Sequence, residues 1–198
     1  HHVTRVSTLI PNSILGDTQV VATYDDYRAD NGIQFPRRIH ITQAGFPIWD
    51  LTVTSVTPGA AVDLPVPPAV AAATLPAVQV TTTKMADGVW FAAGGSHHSV
   101  IVEFADHLAI VEAPLTEERS LAVIAAAKGL VPGKPIKYLL TSHHHFDHTG
   151  GIRTYVAEGA TVVTHQTNVE YFKAAASAAA TLNPDALARR PVPATFLG

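Results

Sequence analysis

The chain has 198 residues, no cysteine and a formal charge of −3, from 13 Lys plus Arg against 16 Asp plus Glu. Its 47% hydrophobic and 15% charged residues mark a globular chain of one domain or slightly more. The balance excludes a disulfide framework, thiolate metal ligands and a cysteine nucleophile, and the lack of a basic stripe excludes nucleic acid as a partner.

His1 and His2 read as a tag remnant as readily as native sequence, and they are assigned no role. Residues 1–58 alternate in polarity. In WDLTVTSV, Trp49, Leu51 and Val53 fall on one face and Asp50, Thr52 and Thr54 on the other. TQVVATYDDY and RRIHITQ behave alike, so the spacing predicts a small, half-buried antiparallel β-region. Asn31-Gly32 and Ala44-Gly45 are the predicted turns. Tyr24, Tyr27, Phe35 and Trp49 are expected to pack in a core or between domains. Residues 59–76 are rich in Pro and Ala and read as a semi-rigid linker. The longest apolar stretch runs through this linker, but Asp63, Pro65, Pro67, Pro68 and Pro76 break it, so no membrane span is expected. No secretory leader is legible. Loss of one would place the protein outside the cytoplasm, and zero cysteines suit either compartment.

From residue 77 to 198 the pattern becomes βββ-α-β-α-β-α, an α/β layer arrangement. DGVWFAAGG, HSVIVEFAD and HLAIVEAP read as three strands, with Trp90, Phe91 and Phe104 as expected core. TEERSLAVIAAAKGL reads as a helix capped by Thr116, with Leu121, Ile124 and Ala125 on one face and Gly129 at its stop. KPIKYLLTS is a buried strand, GGIRTYVAEG a helix closed by Gly159, ATVVTH a strand and NVEYFKAAASAAA a helix. The tail from Thr181 reads as loop.

Between YLLTS and that second helix stands TSHHHFDHTGG. His143-x-His145-x-Asp147-His148 places three imidazoles and a carboxylate in one loop at the end of a strand, where α/β sheets tend to bind ligands. Imidazole nitrogen and carboxylate oxygen are ordinary zinc ligands. Two metals can share such a loop, one on His143 and His145, the other on Asp147 and His148. Gly150 and Gly151 would allow a sharp turn, and the following helix start would favour an anionic ligand.

This H-x-H-x-D-H string, followed by Thr149-Gly150-Gly151, resembles the signature of the metallo-β-lactamase-fold hydrolases. GGSHHSVIVEFADHLAIVEAP resembles their opening hairpins and GATVVTH the strand after their first metal loop. The resemblance covers about residues 77–172, and residues 1–58 resemble the accessory β-region of some members. It implies an αββα sandwich of which this chain holds the N-terminal half. It also implies a metal-dependent hydrolase with one or two zinc ions, His143 and His145 on the first and Asp147 and His148 on the second. Asp147 would orient the bridging water as the catalytic residue. A metal-bound hydroxide would attack a small-molecule ester, lactone, β-lactam, thioester, or phosphate or sulfate ester.

Members of the family draw further ligands from a second half: a third histidine, a bridging aspartate or cysteine, and a final histidine. The last acidic residue here is Asp185. The centre is therefore expected to need a C-terminal half from a further segment or from a partner chain, and a homo-oligomer is a separate open expectation. Otherwise the chain is a remnant that binds metal weakly. Two other functions stay open, a mononuclear iron oxygenase on the same fold and a non-catalytic half-domain acting in assembly. His97, His98 and His165 are substrate-side candidates, set against a turn role for the first two and a hydrogen-bonded strand end for the third. His144 is expected outside the ligand set. Glu112 is either an outer partner or structural.

Overall fold

Two tight turns organise the first strands. Asn31 and Gly32 take φ of 46° and 88°, Ala44 and Gly45 take 52° and 84°, and positive φ at both central residues is the hairpin turn that matches strand twist. They join β2 (Gly16–Asp30) to β3 (Ile33–Gln43) and β3 to β4 (Phe46–Thr52), both antiparallel. With β1 (Arg5–Asn12) these form a four-stranded sheet in the order β1-β2-β3-β4. The structure, a computed structural model, describes residues 1–74 and 76–198. Leu75, in the expected linker, lies outside the described residues. Before it comes a four-residue helix, α1 (Pro68–Ala71). The chain forms two compact units, one of residues 1–10 and 18–76 and the other of residues 11–17 and 77–198.

In the first unit the expected half-burial fails along β4, where every residue is exposed. Trp49 is 57% exposed and is not core. Tyr24, Tyr27 and Phe35 are partly buried along one groove with Val6 and Ile39.

The second unit is built on one seven-stranded sheet in the order β11-β10-β9-β8-β7-β6-β5. β5 (Thr81–Ala86), β6 (Val89–Ala93), β7 (Ser99–Glu103) and β8 (Leu108–Val111) form an antiparallel meander. The chain then crosses through α2 (Glu117–Leu130) to β9 (Ile136–Leu140), which lies parallel to β8. α3 (Phe146–Thr149) and α4 (Ile152–Ala157) lead to β10 (Thr161–Val163). α5 (Val169–Ser177) and α6 (Ala186–Arg189) lead to β11 (Phe196–Leu197), and both later strands also run parallel. The meander has one strand more than expected. The tail after Thr181 is not all loop, because it supplies α6 and the last strand.

Sequential parallel strands laid down in one direction, with right-handed crossovers, place their helices on one face. The core agrees. Ala92, Ile101, Leu108, Ile110, Leu139 and Val162 of the sheet meet Val123 and Ile124 of α2, Tyr155 and Val156 of α4, Phe172 of α5 and Leu187 of α6. The alternate sheet residues, among them Phe91, Val100, Val102, Val111, Tyr138 and Val163, are only partly buried. The unit is thus an α/β half-sandwich with helices on one face.

Several local expectations change for physical reasons. α2 buries Ser120, Val123, Ile124 and Ala127, an i, i+3, i+4, i+7 stripe, while Leu121 is 42% exposed and Ala125 is exposed. Its stop is Val131 rather than Gly129, because Pro132 disfavours helical backbone at the residue before it. Phe104 is 48% exposed, stacked on His107 rather than in the core. α5 ends at Ser177, so Ala178 to Ala180 lie beyond it. The carbonyl of Ala178 accepts from buried Arg153 and that of Ala179 from the amide of Asp17. No helix among the described residues is long and apolar enough to cross a membrane.

Candidate metal centre

β9 ends at Leu140, and Thr141 and Ser142 carry the chain into the histidine loop. A short turn of helix, α3, then sets Asp147 and His148 back beside His143 and His145. The amides of His148 and Thr149 both donate to the carbonyl of His145 at 3.0 Å, and the Thr149 hydroxyl adds a third bond at 2.8 Å. Rings that would stand apart in an extended chain thereby converge. The His143 and His148 centroids lie 4.2 Å apart, and those of His143 and His145 4.8 Å apart.

The two glycines after the cluster have ordinary negative φ, so a special turn is not their reason. A Cβ on Gly150 would strike the carbonyl of Leu115, and one on Gly151 would strike Ser120 Oγ. They are needed because the loop exit lies flat against the start of α2. Their amides are committed, Gly150 to Phe146 and Gly151 to Ala113. α3 and α4 have four and six residues. The expected anion site at a helix start finds no free glycine amide there.

Among the described residues, two groups of three side chains offer ligand atoms within 4.8 Å of one another, and Asp147 belongs to both. One is His143, His145 and Asp147. The other is His97, Asp147 and His148. Ligands about 2.0–2.2 Å from a tetrahedral zinc stand about 3.3–3.6 Å from each other, so modest side-chain rotation closes either group. The donors are imidazole and carboxylate, which suits zinc or iron.

The structure brings together more than the loop motif contains. His97, in the turn between β6 and β7, puts Nε2 3.1 Å from Asp147 Oδ2. Glu112, just after β8, takes φ of 66°, a strained value for a residue with a side chain. Its Oε1 accepts from the amide of Ser142 at 3.0 Å. Its Oε2 lies 3.4 Å from His148 Nδ1 and is otherwise buried without a hydrogen-bond partner. Nδ1 is also engaged on His143, by Ser142 Oγ at 2.9 Å, and on His97, by Ser96 Oγ at 2.9 Å. With Nδ1 so engaged, Nε2 is the remaining ring nitrogen of these histidines, and on His97 it faces Asp147.

The other candidates stand apart. His98 is exposed and lies against Phe91, with centroids 4.9 Å apart. His144 packs near Tyr171 and is in neither ligand group. His165 is exposed and caps the turn before α5, its Nδ1 2.8 Å from Thr167 Oγ1.

Residues 92–188 match the family model of the metallo-beta-lactamase superfamily. That segment belongs to the superfamily. Its match runs from β6 through α6 and takes in the whole histidine loop. Solved metallo-beta-lactamases are similar at lower levels. One from Hirschia baltica has 22% identity over 48% of this chain and 48% of its own, with a TM-score of 0.42. The FIM-1 metallo-beta-lactamase of Pseudomonas aeruginosa, in a mono-zinc form, has 19% identity over 61% and 51%, with a TM-score of 0.45. One from Cronobacter sakazakii has 26% identity over 46% and 36%, with a TM-score of 0.40. The chain spans about half the length or less of these proteins. No curated protein matches the chain.

Proposed function

We propose that this protein is a metal-dependent hydrolase whose divalent ions, such as zinc, are held on the His143–His148 loop. The observation that carries this reading is the position of Asp147 between two donor pairs, His143 with His145 and His97 with His148. A carboxylate with four lone-pair sites can serve both sides.

When bound, such an ion would acidify water and polarise a carbonyl, phosphoryl or sulfuryl oxygen. The protein's own groups prepare for this. Glu112 holds the Nδ1 side of His148 and, through the amide of Ser142, the entrance of the loop. Ser142 holds the Nδ1 side of His143. Asp147 would orient the attacking water through its carboxylate, which faces both donor pairs. An ester, lactone, β-lactam, thioester, or phosphate or sulfate ester fits this chemistry.

Zinc stoichiometry after equilibrium dialysis tests the reading. His143→Ala combined with His145→Ala removes one ion from the complement of the parent protein and leaves the secondary structure intact by circular dichroism. Unchanged zinc content in the double variant would exclude the loop as the first metal position.

A further inference from the structure

We propose that His97 is a protein ligand of the second metal position, joining Asp147 and His148, a role that the H-x-H-x-D-H spacing does not assign. The inference rests on the metal reading of the loop given above.

Three features carry it. The first is reach. His97 Nε2 lies 3.1 Å from Asp147 Oδ2, its ring centroid lies 5.0 Å from that of His148 in an edge-on arrangement, and the three ligand atoms lie within 4.8 Å of one another, a spread that modest side-chain rotation closes. The second is the state of the ring. Ser96 Oγ sits 2.9 Å from Nδ1. A hydroxyl donates or accepts, so it supports both tautomers: Nε2–H facing Asp147 without metal, and Nδ1–H with a free Nε2 lone pair for the ion.

The third feature is the mounting of the hairpin. Gly94 and Gly95 take φ of 148° and 73°. A Cβ on Gly94 would strike the carbonyl of Gln79, and one on Gly95 would press on Leu115. Beyond the turn, buried Ser99 donates through Oγ to the carbonyl of Glu112 at 2.9 Å. The turn is thus clamped to the β8–α2 loop that also backs Gly150. It presents His97, 31% exposed, to the cluster and leaves the adjacent His98 exposed.

The competing role for His97 is that of a hydrogen-bond donor to Asp147 that a metal would displace. Zinc and cobalt(II) titrations separate the two, read by metal analysis and by the visible absorption of bound cobalt. The parent protein, His97→Ala, His97→Gln and the neighbour control His98→Ala are compared. Gln keeps a donor for Asp147 but is a poor ligand for these ions. We expect two equivalents in the parent and in His98→Ala. In both His97 variants we expect the second equivalent to weaken by more than about 100-fold, beyond the 10–100-fold that loss of an outer partner causes. The first equivalent is retained. Second-site affinity in His97→Gln equal to the parent's would overturn the proposal, as would tighter binding in His97→Ala. If the parent binds a single ion that the His143/His145 double variant loses and His97→Ala keeps, the proposal falls while the loop reading stands. If the parent takes up no ion, both fall.

Discussion

Phe46, Ile48, Trp49 and Leu51 are all exposed along β4 of the four-stranded sheet, whereas Ile101, Leu108, Ile110 and Leu139 of the seven-stranded sheet are sealed under helices. Both sheets follow the same local rules of alternation and turn chemistry. What differs is the layer behind them. No residue of the first unit joins the main core cluster among the described residues, so its order rests on cross-strand pairing, two tight turns and contacts such as the Tyr27 hydroxyl on the carbonyl of Val3 at 2.6 Å. The second unit has a packed interior, and that interior fixes the histidine loop. Strand patterning alone makes a sheet, and a helix layer makes a scaffold on which a site can be held.

The sharpest way to break this comparison is to unpair a buried charge in the second unit. Arg153 on α4 is 4% exposed and bonds to Asp185 and to the carbonyls of Ala175, Ala176 and Ala178. Asp185→Ala leaves that guanidinium without its carboxylate and α6 without its cap, and it should lower stability by about 3–5 kcal/mol in urea unfolding. The same pair sets an acid limit. Burial alone would raise the Asp185 pKa, but Arg153 and the Ala188 amide outweigh it and hold the carboxyl below its ordinary value. An unfolded aspartate titrates near about 3.9, so the pair's contribution is complete above that pH and fades as pH falls through the lower folded value. The gap between the parent and Asp185→Asn should therefore be full at neutral pH and shrink in acid.

Ile110→Ala comes next, at about 2–5 kcal/mol for a fully buried core residue. Gly151→Ala should cost about 1–3 kcal/mol, because a methyl group there must displace Ser120 and shift the loop exit. The smallest change belongs to the first sheet. Trp49→Ala should stay within about 0.5 kcal/mol, as for an exposed site. A loss at Trp49 comparable to that at Ile110 would erase the distinction between the two regions.

The sequence makes the punctuation of this fold legible. Thr116 caps α2, its hydroxyl accepting from the amide of Arg119, and Gly159 at φ 88° closes α4 with paired bonds from Gly159 to Val156 and from Ala160 to Tyr155. The histidine loop is legible because its donors are adjacent in the chain. His97 is less so, since its place beside Asp147 depends on the register that pairs Ala92 with Ser99 and on the clamp at Gly94. The buried face of α2 escapes because its alanines give little contrast between faces. β5 begins as a polar run of threonines, Thr81 to Thr83, and β11 is two residues held by parallel pairing to β10. Neither carries an alternation long enough to read.

Glu112 joins four parts of the second unit with one residue. Its amide donates to Leu140 of β9, its carbonyl accepts from Ser99 of β7, one carboxylate oxygen takes the amide of Ser142 and the other faces His148. The entropy of ordering the loop is therefore lost during folding, before any ligand arrives. A ligand that then enters meets a loop backbone already held, so its binding should show a small heat-capacity change and little gain in protection of loop amides from exchange.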